Sequence, residues 1–148
     1  MVCLGNICRS PLAEGILKSK LDPKKFQIDS CGTSNYHIGK SPDKRSIDTA
    51  KQHGIDITNQ KASQFKLSDF DTYDFIYPMD RSNYNDIIRL ARNESDTKKV
   101  NLILNELHDY EEIDVPDPYY GGEQGFIDVY EMLNNACDHI VKKLYNKR

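Results

Sequence analysis

The sequence predicts an α/β domain, a mostly parallel sheet with helices on both faces. Three observations carry that prediction. Short apolar segments of strand character alternate with helix-like segments along the whole chain, a polar turn joins the first strand to the first helix, and the C-terminal segment repeats apolar residues at steps of three and four. In order, Met1, Val2 and Cys3 open the chain as a strand. Ser10 reads as a helix cap and Pro11 as the first helical position, followed by Leu12, Ile16 and Leu17 on the inner face. Residues 26–29 alternate like a strand, and residues 42–53 read as a helix stopped by Gly54. Residues 73–79 read as a strand, with Pro78 near its end. Asp80 or Ser82 then caps a helix carrying Tyr84, Ile87, Ile88 and Ala91, and residues 100–103 are a short strand. The last element is a long amphipathic helix with Phe126, Val129, Tyr130, Leu133, Cys137, Ile140 and Leu144 on one face. No repeat, low-complexity tract or Pro/Gly/Ser linker marks a boundary, so residues 1–148 read as one domain.

Composition removes several function classes. The net charge is -3 and no Lys/Arg run is longer than a pair, which excludes an electrostatic nucleic-acid binder. No apolar run approaches the ~18 residues of a membrane span, and the N-terminus lacks a signal-peptide layout, so the expected setting is the cytoplasm. In that setting the four cysteines stay thiols. Cys3 and Cys8 have no second ligand pair at zinc-binding spacing and the four His are scattered, so no metal site is expected.

Parallel sheets bind ligands beyond the carboxyl ends of their strands, which directs attention to residues 3–10. Successive backbone N–H groups in a strand-to-helix turn, with a helix dipole behind them, cradle a phosphate-sized anion. Arg9, six residues after Cys3, can fold back and hold two oxygens of that anion through its planar fork. The same field favours a Cys3 thiolate, a nucleophile aimed at phosphorus, and the chemistry expected is phosphoryl transfer through phosphocysteine. The Cys-to-Arg spacing alone favours a buried strand cysteine followed by an ordinary capped helix, with Arg9 solvated. The strand-to-helix position decides for the loop, together with Gly5, Asn6 and Ser10: Asn6 and Ser10 can donate to the sulfur or pin the loop, and Gly5 supplies backbone freedom. No Gly-Lys-Ser/Thr ending is present, so this is not a nucleotide-binding loop. Phosphocysteine chemistry needs a proton for the leaving oxygen, and Asp117 stands out as its source. It is flanked by Pro116 and Pro118 and followed by Tyr119 and Tyr120, which can wall a slot for a phenyl ring, then by Gly121 and Gly122.

Together, Val2-Cys-Leu-Gly-Asn-Ile-Cys-Arg-Ser-Pro11 and Asp117-Pro-Tyr-Tyr-Gly-Gly122 resemble the low-molecular-weight protein-tyrosine phosphatases, and Asp29-Ser30, Gly32-Thr33-Ser34 and Tyr77-Pro-Met-Asp80 look like the family's intermediate landmarks. The resemblance implies a three-layer domain with a four-stranded parallel sheet and a phosphate-binding loop of Leu4, Gly5, Asn6, Ile7, Cys8 and Ser10 between strand 1 and helix 1. It implies Cys3 as nucleophile, Arg9 as phosphate clamp and Asp117 as general acid, with neither metal nor cofactor. Asn6, Ser10 and Ser30 would shape the loop, and Tyr36 would line the ring slot opposite Tyr119 and Tyr120. Cys8 matches the family's second loop thiol, either a packing residue or a partner that traps oxidised Cys3 as a disulfide.

Three positions depart from the family pattern. Asn59 stands where a loop-supporting His is common, the run Lys61-Ala62-Ser63-Gln64 lacks an Arg, and Cys31 replaces a small residue. The same fold hosts protein-arginine phosphatases and thioredoxin-coupled arsenate reductases. Ile7 and the pair Tyr119-Tyr120 favour a flat slot for phosphotyrosine over phosphoarginine, and Cys31 and Cys137 lie too far apart in sequence for a reductase relay. A non-catalytic phosphotyrosine-binding module would lack Cys3 or Asp117. The expected partners are phosphotyrosine proteins, and the expected state is a monomer whose tyrosines allow weak self-association. Family members carry several apolar residues before the nucleophile, whereas Met1 and Val2 alone precede Cys3 here. Either the true start lies a few residues upstream, or the first strand is abbreviated and leaves a gap in the sheet.

Overall fold

The computed structural model describes residues 1–108, 111 and 113–146. At its centre, strand β1 (Val2–Cys3) pairs in parallel with β2 (Cys31–Gly32), Val2 opposite Cys31 and Cys3 opposite Gly32. Further parallel neighbours are single bridges: Gly32 to Gln64 on one side, Val2 to Pro78 on the other, and Ile76 to Val100 beyond it. The expected four-stranded sheet is thus a regular pair of strands extended by three bridges, and the reason lies in the backbone donors. Val2 turns both polar groups to one side, receiving from Met79 N and donating to Tyr77 O at 2.9 Å each, while the Met1 and Cys3 carbonyls accept from Cys31 and Thr33. A two-residue strand makes no second bridge toward residues 77–79. The outer ladder runs Ile76 N to Lys99 O, Asn101 N to Ile76 O and Ile103 N to Pro78 O, and stops where Pro78 has no N–H to give.

Residues 26–29 are irregular rather than a strand, because β1 begins only beside Asp29, whose carbonyl takes the Met1 amine at 3.0 Å. A groove of about 1180 Å³ runs past Met1 and is lined among others by Phe26, Ile28, Tyr73 and Phe75.

Helix α1 (Arg9–Lys20) starts one residue before the expected cap, with Cys8 at the N-cap position and Ser10 inside the first turn. Helix α2 (Lys44–Gln52) is capped by Asp43, whose side chain accepts from Arg45 N, and it ends before Gly54. The single turn α3 (Asp69–Thr72) precedes α4 (Arg81–Ile88), which Asp80 caps by accepting from Asn83 N; Ala91 lies past its end. The short helices α5 (Glu94–Lys98) and α6 (Asn105–His108) lead to a 3-10 turn (Pro118–Tyr120) and to α7 (Gly122–Asn146). None of the described helices is long and apolar enough to cross a membrane.

Two apolar clusters flank the strands. Cys3, Tyr77 and Met79 join Leu12, Ala13, Ile16 and Leu17 of α1 and Val129, Leu133, Ala136, Cys137 and Ile140 of α7. Val2 and Ile76 point the other way, to Phe65, Phe70 of α3, Ile87 of α4 and Val100. The two residues of β1 therefore serve opposite faces, as strand alternation requires. Burying each large aliphatic chain here contributes about 1.5–3 kcal/mol. The packing fixes the end of β1, and with it Cys3, against the start of α1.

Candidate active site

Beyond Cys3 the chain turns through residues 4–8 into α1. Its carbonyls are engaged on the outside: Cys3 O accepts from Thr33 N (2.9 Å), Leu4 O from Ser34 N (3.0 Å) and Ile7 O from Asp43 N (2.7 Å), while Cys8 O accepts from the Ser46 hydroxyl at 3.2 Å. In a trans peptide the N–H of the next residue points opposite the carbonyl. The amides of Leu4, Gly5, Cys8 and Arg9 are therefore turned to the inner side of the loop, where the dipole of α1 adds to their field. Asn6 N reaches Cys3 Sγ at 3.3 Å, and the Ser10 hydroxyl lies 3.0 Å from the same sulfur.

The positive backbone dihedral falls on Asn6 (φ 57°), not on Gly5. That conformation costs an ordinary residue about 1–2 kcal/mol and Asn least among them. The side chain offsets the cost: Nδ2 donates to Ser10 Oγ (2.8 Å) and Ser30 Oγ (2.9 Å), and Oδ1 accepts from Ser63 N (3.0 Å). At Gly5 a Cβ would stand 2.8 Å from His37 Cδ2, so the His37 ring would have to move. Gly32 is needed more strictly, with a Cβ 2.7 Å from the Leu4 carbonyl oxygen. Ser30 passes its own proton to Glu14 Oε1 at 2.7 Å, and Lys18 bonds the other Glu14 oxygen at 2.7 Å. The Ser10 oxygen accepts from Asn6 Nδ2 and has a second lone pair; its own proton can go to Cys31 O at 3.4 Å or to Cys3 Sγ, a contact in which either atom can be the donor.

Arg9 is buried, and its Nη1 donates to Asp80 Oδ2 (2.6 Å) and to Val115 O (2.9 Å). Burial opposes its charge, yet the Cys3 sulfur and the Asp80 and Asp117 carboxylates outweigh that and hold its pKa above the usual value. Cys8 is buried and its thiol is pushed up to about 12, by desolvation first and by Asp43 and Cys3 next. That disfavours Cys8 as an attacking thiolate in its present setting. All four cysteines are free thiols.

Asp117 follows directly on the segment that Arg9 holds. Its Oδ2 stands 4.0 Å from Arg9 Nη2, its Oδ1 accepts from Tyr119 N at 3.0 Å, and its side chain is 46% exposed. Tyr119 and Tyr120 meet edge to face at 4.9 Å and are 40% and 91% exposed. Tyr36, 72% exposed, makes no ring contact with either among the described residues. The structure thus brings together Cys3, Arg9, Asn6, Ser10, Ser30 and Asp117; Tyr119 and Tyr120 stand exposed beside Asp117, and Tyr36 is not brought into ring contact with them.

Asn59 does not support the loop: it is exposed, and Gln60 reaches α1 instead, through Nε2 to Pro11 O at 3.0 Å. Four residues of the site escape a reading of the sequence. Asp80 reads as a cap and as the end of the landmark Tyr77-Pro-Met-Asp80, but nothing in the sequence ties its second oxygen to Arg9. Glu14 carries no motif in the sequence, yet it anchors Ser30 and pairs with Lys18. Asp43 and Arg45 bear on the loop from α2 and carry no motif of their own. Among the described residues no three His, Cys, Asp or Glu side chains gather as a metal site.

The family model described as low molecular weight phosphotyrosine protein phosphatase matches residues 1–148. A low molecular weight phosphotyrosine protein phosphatase of Gallus gallus is 39% identical over 146 residues, covering 96% of this chain and 92% of the relative. The crystal structure of a protein tyrosine phosphatase from Entamoeba histolytica, with Hepes in its active site, superimposes with a TM-score of 0.91 at 35% identity over 99% of this chain and 95% of its own. A drosophila arginine phosphatase superimposes with a TM-score of 0.86 at 32% identity, covering 97% of this chain and 94% of that one.

Proposed function

The chain belongs to the low molecular weight phosphotyrosine protein phosphatase family, and we propose that it hydrolyses protein phosphotyrosine through a cysteinyl-phosphate intermediate. The observation that carries this reading is the convergence on Cys3 Sγ of the Ser10 hydroxyl and the Asn6 amide, beneath a loop of inward amides. The Asn6 N–H stabilises negative charge on sulfur, and the Ser10 hydroxyl adds to it when its proton is turned to the sulfur. The dianion of the substrate sits on the loop amides and the Arg9 fork, whose Nη1 is fixed by Asp80 and Val115. Cys3 Sγ then attacks phosphorus as the bond to the phenolic oxygen breaks, and Asp117 gives that oxygen its proton. In the second half, Asp117 takes a proton from water as the water oxygen attacks phosphorus, the P–S bond breaks, and the thiolate and inorganic phosphate are released.

The half-buried Ile7 and the exposed Tyr119 and Tyr120 support an apolar slot for a flat aryl ring. A second reading, phosphoarginine hydrolysis, is favoured by the likeness to the drosophila arginine phosphatase. A reductase relay gains no support, since Cys137 is fully buried on α7 and Cys31 lies in β2, both thiols pushed up to about 12 by burial. The test compares phosphate release from phosphotyrosine and phosphoarginine peptides by one preparation in the presence of a chelator. Preference for phosphotyrosine, lost in Cys3→Ser, is the expected result; preference for phosphoarginine overturns the substrate assignment.

A further inference from the structure

One side chain outside both loops joins the segment carrying Asp117 to the phosphate loop. Arg45, in the first turn of α2, donates Nη1 to the Tyr119 carbonyl at 2.8 Å. Its Nε and Nη2 hold the two Asp43 oxygens at 3.1 and 3.0 Å, and the Asp43 backbone N–H is bonded to Ile7 O at 2.7 Å. The guanidinium also lies over the rings of Tyr119 (5.2 Å) and of Phe126 (4.8 Å), which α7 buries. Tyr119 is thereby gripped at both ends, its N–H by Asp117 and its carbonyl by Arg45.

The geometry points to Arg45 as a positioning residue for proton transfer, fixing the turn that carries Asp117 relative to the cradle that holds phosphorus; this rests on the reading of Asp117 as general acid. Asp117 has little else to fix it, being half exposed and 4.0 Å from Arg9. Orientation is worth most where a proton must move in the transition state. The planar fork is what the role needs: Lys has one compact ammonium and cannot hold both Asp43 oxygens, reach the carbonyl and stack on a ring together. Asp43 stays ionised through the working range, its carboxyl held below the usual pKa first by the Arg45 hydrogen bond.

The test measures kcat/KM for two aryl phosphates, one with a high-pKa and one with a low-pKa phenol, in the wild type, Arg45→Met, Arg45→Lys and Asp117→Ala. Inhibition by inorganic phosphate reports the cradle. Arg45→Met keeps the stem packing, so its expected result is about a tenfold loss on the high-pKa phenol, under about twofold on the other, and unchanged phosphate inhibition. Arg45→Lys is expected to fail in the same pattern. Equal losses on both substrates, or none, in an enzyme whose Asp117→Ala variant keeps its leaving-group dependence would overturn the inference. If Asp117→Ala itself shows no such dependence, the acid assignment fails and takes the inference with it.

Discussion

The two loops that form the site are built in opposite ways. Residues 3–10 are closed in: Cys3, Asn6, Cys8, Arg9 and Ser10 are buried, and the single strained residue, Asn6, is held by three side-chain hydrogen bonds. The segment from Asp117 to Tyr120 is open, its carboxylate half exposed and its tyrosine rings in water. Under the proposed mechanism the difference follows from what each loop would do. A cradle for a dianion works by dipoles that do not reorganise, so over-determination suits it. Asp117 as the proposed acid would have to reach a leaving oxygen and then a water, which needs access, and few contacts place it.

The contrast can be broken by substitutions that separate chemistry from folding. The largest effect belongs to Cys3→Ser, which is expected to lower kcat by at least about 10⁴-fold, because a hydroxyl in the same cradle is a far weaker nucleophile. Retained turnover would place the nucleophile elsewhere. Next, Asp117→Ala should cost about 10²–10³-fold on high-pKa phenols and much less on good leaving groups. In denaturant titration its stability should fall by no more than about 1 kcal/mol, the worth of the exposed cap it gives to Tyr119 N. A large stability loss would show that the open loop is structural after all.

Asn6→Ala should lower stability well beyond what Asp117→Ala does, and activity with it. It orphans Ser63 N and leaves the positive φ unsupported, for about 2–3 kcal/mol by urea unfolding. Stability unchanged by this variant would mean that the loop is not over-determined. A graded effect comes with pH. The thiols of Cys8, Cys31 and Cys137 are raised from 9.0 to about 12 by burial. The unfolded chain therefore releases these protons first, and stability that is intact below pH 9 is lost as pH rises toward 12. Each thiol contributes at most about 1.4 kcal/mol per pH unit. Cys137→Ala should flatten the slope of unfolding free energy against pH above 9, and an unchanged slope would contradict the assignment.

How much the sequence discloses depends on whether the chemistry is contiguous. The phosphate loop is legible because its residues are consecutive, and α7 because its apolar stripe is long. The partners of Arg9 are not: Asp80 lies 71 positions away and Val115 106, joined only by the packing of the sheet. Glu14 is hidden because nothing in the sequence ties it to Ser30, 16 positions away, until the fold turns Ser30 onto it. The strand count fails for a local reason, since a two-residue β1 and an imide at Pro78 each remove the second bridge that a ladder requires. Gly5 was the natural candidate for unusual backbone geometry, but an amide side chain with three partners allowed Asn6 to take it.

The central claim is that phosphate passes through sulfur on Cys3. Acid quenching of the enzyme during turnover of an aryl phosphate, followed by digestion and fragmentation mass spectrometry, tests it most directly; residues 1–9 form one tryptic peptide holding both Cys3 and Cys8, so fragmentation must separate the two. The expected result is a phosphoryl group on Cys3 alone, accumulating further in Asp117→Ala on a good leaving group. A phosphoryl group on any other residue, or turnover with none trapped on Cys3, would contradict the account.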